Sequence, residues 1–299
     1  MTDETDEWQP ATAEDLVADA VALGVPKASP RMITDWTEYG LLGAPAFRKS
    51  TRHGSDARLY SADQRRLFTE MLKARQRSPL ARVPHHTLIR VVLYIWLTDD
   101  TVVSDTQARR GWRTWARATR STAAHRSETA RQIVDQFAHP DAPYHQRRKA
   151  QLLIEQGEKQ RSADWDRLYS ALTEVCSPWP AAPGSRIERS IGTPILPFGV
   201  REAIATWMLN HKVSRQLAAE AVPEATLVQA RAEHRVNWQS YEAQREQFQI
   251  QATKPEMFEK PSDLEEQVKQ HVAGFLPALG HVLGLDQPTF AEARVLGQR

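Results

Sequence analysis

Cysteine is almost missing from this chain. Cys176 stands alone among 299 residues, which excludes an internal disulfide framework, and no Cys/His cluster has the spacing of a structural zinc site. Long apolar runs are missing as well: Leu88–Leu97 is short and interrupted by Arg90, well below the roughly 18 apolar residues that span a bilayer. The stretch from Met1 to Gln9 is acidic, with neither an apolar signal core nor an arginine-rich targeting pattern. Together these absences predict a soluble, cytoplasmic protein with no membrane partner. Motifs of catalysis are also lacking. There is no Gly-x-x-x-x-Gly-Lys, no Gly-x-Gly-x-x-Gly after a strand, no His-Glu-x-x-His and no Gly-x-Ser-x-Gly, so no enzymatic activity, cofactor or bound metal is expected.

What is there is an ordinary soluble balance of 41% hydrophobic and 25% charged residues, enough to bury one large core or two smaller ones. The net charge of +2 hides an asymmetry, because residues 27–132 hold 20 Lys/Arg against 9 Asp/Glu, leaving that stretch at +11 and the remainder at −9. A concentrated basic stretch suits a polyanion, since each neutralised phosphate releases condensed counterions. A well-solvated arginine-rich surface is the plainer alternative.

Along the chain, an acidic tail (1–11) is expected to be disordered. Thr12 with Asp15 forms a capping box for a helix whose stripe is Leu16, Val17, Ala20, Val21 and Leu23, and Gly24 ends it. Ser29-Pro30 then reads as N-cap and first helical residue of a second helix that runs to Tyr39 and stops at Gly40. Two short helices around a tight connection are the geometry of a helix-turn-helix. Ala46 to Tyr60 reads as two short strands around a Gly/Ser/Asp turn, a basic wing with Arg48, Lys49, Arg52, His53 and Arg58. Ser61 and Gln64 predict a second capping box that launches a helix to about Arg75. Beyond residue 80 the periodicity is helical: Thr87–Leu97, Asp105–Arg120, Ser121–Ala138, about 144–159, 162–175, 198–210, a shorter helix to Ala221, Pro223 to about Gln251, and a last pair beginning at Ser262 and Thr289.

The ordered set Ile33, Trp36, Gly40, Leu41, Leu42, followed by Pro45, the basic wing, Arg58 and Tyr60, resembles the DNA-binding domain of the MerR family of transcriptional regulators. The resemblance covers about 65 residues. It implies a winged helix-turn-helix at residues 12–76 that binds double-stranded DNA. The connection between the two helices and the wing are longer than is typical of the family, and Thr34 stands where many members have an arginine, so detailed contacts are not carried over. The family's long dimerisation helix directly after the wing domain is not seen, because Ser78-Pro79 and Val83-Pro84 break the pattern. The expected architecture is therefore mostly α: the winged unit with a two-stranded wing at 12–76, a helical domain at 77–176, a Pro/Gly-rich linker or long loop at 177–197, and a helical region at 198–299.

With Pro30–Tyr39 as recognition helix, Ile33 and Trp36 face inward, and Arg31 is the candidate for a guanine or phosphate contact, or else a partner for Asp35. Lys27, Ser29 and Thr34 are further candidates for DNA contact, and Arg48, Lys49, Arg52 and Arg58 for phosphates. Arg65 and Arg66 suit the N-terminus of their helix poorly, which favours an intermolecular use. His85-His86 reads as loop histidines rather than metal ligands. Trp112 and Trp115 read as a core stripe, with an aromatic ligand wall or second basic DNA contact as the alternative. The long polar helix at 223–251 either bridges solvent or forms a homodimer contact. The functional expectation is a sequence-specific DNA-binding protein, a transcriptional regulator, with a mobile-element accessory protein (recombination directionality, partition or replication) and a helical protein-interaction module as alternatives.

Overall fold

Thr12 opens the first helix. Its hydroxyl accepts from the Asp15 N–H at 3.1 Å while the Thr12 N–H donates to the Asp15 carboxylate at 2.8 Å, a reciprocal cap that also holds that carboxyl below its usual range. The computed structural model describes residues 8–49, 56–77, 85–118, 123–160, 164–176, 200–251 and 258–286. The expected linker at 177–197, the tail up to residue 7, the breaks at Ser78-Pro79 and Val83-Pro84 and the helix expected at Thr289 lie outside them.

The described residues are mostly helical, with eleven helices and a single pair of strands. By their contacts they fall into two units. The first comprises Met1–Ala116, Leu217–Val228 and Val268–Val272, and the second Arg117–Gln216, Gln229–Gln267 and Ala273–Arg299.

In the first unit, α1 (Ala13–Ala22) and α2 (Pro30–Tyr39) are followed by β1 (Ala46–Lys49), β2 (Asp56–Leu59), α3 (Ala62–Arg77), α4 (His85–Thr98) and α5 (Asp105–Ala118). Ser29 caps α2, its Oγ accepting from Met32 N–H at 3.3 Å, with Pro30 at the first helical position. The strands pair antiparallel, Ala46 opposite Leu59 and Lys49 opposite Asp56, and an isolated bridge joins Ala11 to Tyr60 on the outer side of β2. Leu16 from α1, Ile33 and Trp36 from α2, Phe68 and Leu72 from α3 and Ile89 and Leu93 from α4 are fully buried, and Trp36 meets Phe68 edge to face at 5.2 Å.

Two details differ from the expectation. Ser61 does cap α3, accepting from Gln64 N–H at 3.2 Å, but the Gln64 side chain does not close the box. It turns inward instead: Oε1 accepts from Gly43 N–H at 2.7 Å, and Nε2 donates to Val102 O at 2.7 Å and to Gln107 Oε1 at 2.9 Å. A buried chain turn at 41–43 has polar groups to satisfy, and these bonds outweigh one at a solvated helix end. Second, Arg65 is engaged within the unit, its Nε and Nη2 donating to both oxygens of Asp19 at 2.7 and 2.9 Å, so it ties α3 to α1.

The second unit holds α6 (Ala123–Phe137), α7 (Tyr144–Gln160), α8 (Trp165–Cys176) and most of α9 (Val200–Ala218), α10 (Glu224–Gln251) and α11 (Leu264–Val282). One core joins Ala130, Val134, Ile154, Leu168, Leu172 and Val175 with Val200, Ile204 and Met208 of α9, and Trp165 packs on Trp207 at 5.1 Å. Where two helices were expected between 198 and 221, α9 is one continuous helix, its apolar stripe of Val200, Ile204, Met208 and Val213 running through the polar Asn210-His211-Lys212. Along α10, Leu227 and Phe248 are buried, Arg245 pairs with Glu242 and lies 4.9 Å from the Tyr241 ring centroid, and Val236 remains 66% exposed. His234 is sealed against Trp238 and Phe275 and bonded to the Gly274 backbone, and burial pushes its pKa down to about 4.

Two stability measurements follow from these placements. Gly40 has φ +80°, and a Cβ there would lie 2.3 Å from the Gly111 nitrogen, whereas at Gly24, also φ +80°, the nearest atom is Gln76 Nε2 at 3.5 Å. In urea unfolding, Gly24→Ala is expected to lose only the left-handed penalty of about 1–2 kcal/mol, and Gly40→Ala on the order of 2 kcal/mol more, from the backbone collision. For His234 the unfolded value lies near 6.5, so between pH 6.5 and 4 the unfolded chain binds the extra proton and stability falls on acidification. The loss is roughly 2 kcal/mol in the free energy of urea unfolding between pH 7 and 5, and His234→Gln is expected to flatten that slope.

Candidate nucleic-acid interface

Helix α2 buries Ile33 and Trp36 and turns Arg31, Thr34 and Glu38 to the outside, the spacing of one helical face. Arg31 is largely exposed and donates through Nε to Asp35 at 2.8 Å. A pair this open is worth well under about 1 kcal/mol, so the guanidinium can leave it for a stronger acceptor. Lys27, in the turn ahead of the helix, is exposed. Ser29 is half-buried, its hydroxyl oxygen taken up by the cap. The Thr34 hydroxyl donates back to Pro30 O at 3.1 Å.

The C-terminal end of α2 is held by α5. Gly40 and Gly111 face each other without side chains, which allows the Gly40 Cα to approach the α5 backbone closely. Gln107 Nε2 donates to Leu41 O at 3.2 Å, Arg110 Nη1 to Thr37 O at 3.4 Å, and Arg113 Nη2 to Glu38 O at 2.6 Å. Thr37 O also accepts from Gly40 N–H at 3.2 Å, carbonyls at a helix end lack intrahelical donors, and two cations there also oppose the negative end of the helix dipole.

The strands are held against the same helix by Tyr60, whose hydroxyl is 3.0 Å from Thr37 Oγ1. Between α2 and β2 opens a groove of about 360 Å³, lined by Thr34, Thr37 and Glu38, by Ala44 and Pro45, by Arg58 and Tyr60, and by Arg110 and Arg113. Three guanidinium groups face one carboxylate, and even with Glu220, which pairs with Arg113 at 3.1 Å, the cations exceed the acids by one, while the hydroxyls of Thr34 and Thr37 add neutral hydrogen-bonding groups.

Of the residues singled out in the sequence, Thr34 and Arg58 line the groove, Arg31 shares the outward face of α2 with Thr34, Lys27 is exposed, and Ser29 serves the cap. Arg48 and Lys49 fall in β1, opposite Ala57 and Asp56. Their side chains, and Arg52 altogether, lie outside the described residues. Arg110 and Arg113 join the groove from α5. Their i, i+3 spacing in a basic helix is visible in the sequence, but nothing local reveals that this helix returns to α2. His85 is the first residue of α4 rather than part of a loop, and its ring packs on Tyr39 at 5.2 Å. Trp112 and Trp115 are buried and meet edge to face at 5.5 Å, as a core stripe does. Cys176 is buried.

Among the described residues no group of three His, Cys, Asp or Glu side chains is placed to hold a metal ion, and no helix is long and apolar enough to cross a membrane. No protein-family model matches the chain, and no curated protein or solved structure matches it.

Proposed function

We propose that this protein binds double-stranded DNA in a sequence-dependent way through a MerR-like winged helix-turn-helix in its first unit, and acts as a transcriptional regulator by binding rather than catalysis. The observation that carries the reading is the positive groove beside the open face of α2, bordered by Arg58 on one side and Arg110 and Arg113 on the other. In this reading the first turns of α2 enter the major groove, where Arg31 can bridge a guanine through O6 and N7. The pair β1–β2 is the wing. Its Arg58, with Arg110 and Arg113, receives a phosphate run, and Arg48, Lys49 and Arg52 extend that contact along the backbone.

The arrangement is suited to this use because its geometry is fixed in advance. Tyr60 and Thr37 pin the strands to the helix, and α5 seals the helix end, so little ordering remains to be done on binding.

The reading is tested by selecting bound fragments from random duplex DNA with the full-length chain. One enriched motif is expected. Arg31→Ala should relax it at one or two positions, at about 1–3 kcal/mol for the preferred base, and Arg58→Ala should weaken all sequences alike and lower the slope of log K against log salt by about 1. Two half-sites one helical turn apart in that motif would report a dimer. An absence of salt-sensitive binding to any duplex would overturn the DNA reading in favour of protein recognition.

A further inference from the structure

A second, smaller cavity of about 170 Å³ lies on the first unit, where α5 faces residues 217–222. It is below the few hundred cubic ångströms that house drug-sized ligands, and suits a small ion. Its walls carry Thr106, Arg109, Arg110, Arg113, Glu220 and Val222. Arg109 donates through Nε to Val222 O and through Nη2 to Glu220 O, both at 3.2 Å, and Arg113 donates through Nη1 to the Glu220 carboxylate at 3.1 Å. Three guanidinium groups therefore meet mainly neutral carbonyls and one carboxylate. Even with Glu224, which accepts from Thr106 Oγ1 at 2.8 Å, the cations exceed the acids by one.

Glu220 itself is held in an unusual way. Its φ of +59° lies in the left-handed region that residues other than glycine rarely adopt, and this conformation accompanies a backbone carbonyl given to Arg109 and a carboxylate given to Arg113. The residue thus supplies from within the chain the acceptors that an external anion would offer.

We propose that this cavity is a binding site for a small oxyanion, a phosphate or carboxylate group, held by Arg109, Arg110 and Arg113, with the Glu220 carboxylate as the intramolecular competitor that the anion displaces from Arg113. Guanidinium groups bind both kinds of oxyanion in bidentate fashion, and five N–H donors on each exceed what the protein's own acceptors use. The cavity shares Arg110 and Arg113 with the groove beside α2, but Arg109 and Glu220 do not line that groove, so substitutions at these two leave its lining intact and test the anion site by itself.

The test is calorimetric titration of the full-length chain, without DNA, with inorganic phosphate and separately with succinate, in chloride buffer at constant ionic strength. Saturable binding of at least one is expected, and which one binds distinguishes a phosphate from a carboxylate ligand. Arg109→Gln should weaken it by at least about tenfold, the scale of one lost charge-assisted hydrogen bond. Glu220→Gln should tighten it, a gain that a folding defect would not produce. No saturable binding of either probe, or an affinity that both substitutions leave unchanged, would overturn the proposal.

Discussion

Between α2 and β1 the chain turns at residues 40–43 inside the protein, where water cannot satisfy its backbone. Two buried glutamines do so. Gln64 accepts from Gly43 N–H and donates to Gln107, and Gln107 donates to Leu41 O. Leaving either backbone group unpaired would cost on the order of 1–3 kcal/mol, so α3 and α5 are obliged to meet at this loop. The direction in which α2 exits, the contact of Gly40 with Gly111, and the position of Arg110 and Arg113 beside the groove all depend on that amide pair. A polar core contact, rather than an apolar one, sets the register here, because it has only one arrangement in which every donor and acceptor is served.

What could be read in advance was local. The Thr12–Asp15 cap, the Ser29-Pro30 start and the left-handed Gly40 are each decided within about four residues, where side-chain chemistry and backbone conformation speak to one another directly. The inward faces of α2 and α5 followed from helical spacing, and Ile33, Trp36, Trp112 and Trp115 are buried accordingly. Residues whose partners are distant were misjudged. Gln64 satisfies the local pattern of a capping box, yet its side chain serves Gln107, 43 residues away. Arg65 looked out of place at a helix start until Asp19, 46 residues back, supplied its carboxylate. The basic α5 showed its charge but not its neighbour, so Arg110 and Arg113 could be seen as cations without being placed at the groove.

The same limit applies to the division of the chain. The extent of the resemblance and the prolines after it set the expected boundary at 77, and the Pro/Gly-rich stretch the one at 177, whereas by contacts α4 and most of α5 share a unit with α1–α3 and the short returning stretches 217–228 and 268–272. A stretch of a dozen residues that crosses back carries no compositional mark. Glu220 and Val222 in one such stretch are ordinary in sequence, and their meaning comes only from the arginines of α5 that they meet.

Under the proposed DNA reading, the sealed end of α2 limits how much sequence a single copy would cover. From Arg31 to Glu38 the outward face spans seven residue steps, about 10 Å at 1.5 Å per residue. A base pair occupies about 3.4 Å of duplex, so in the proposed complex one helix spans roughly three letters. A word that short recurs throughout any genome. Addressing a unique locus would then require the information to be extended, by a second reading head at a fixed spacing or by the bendability of the flanking duplex.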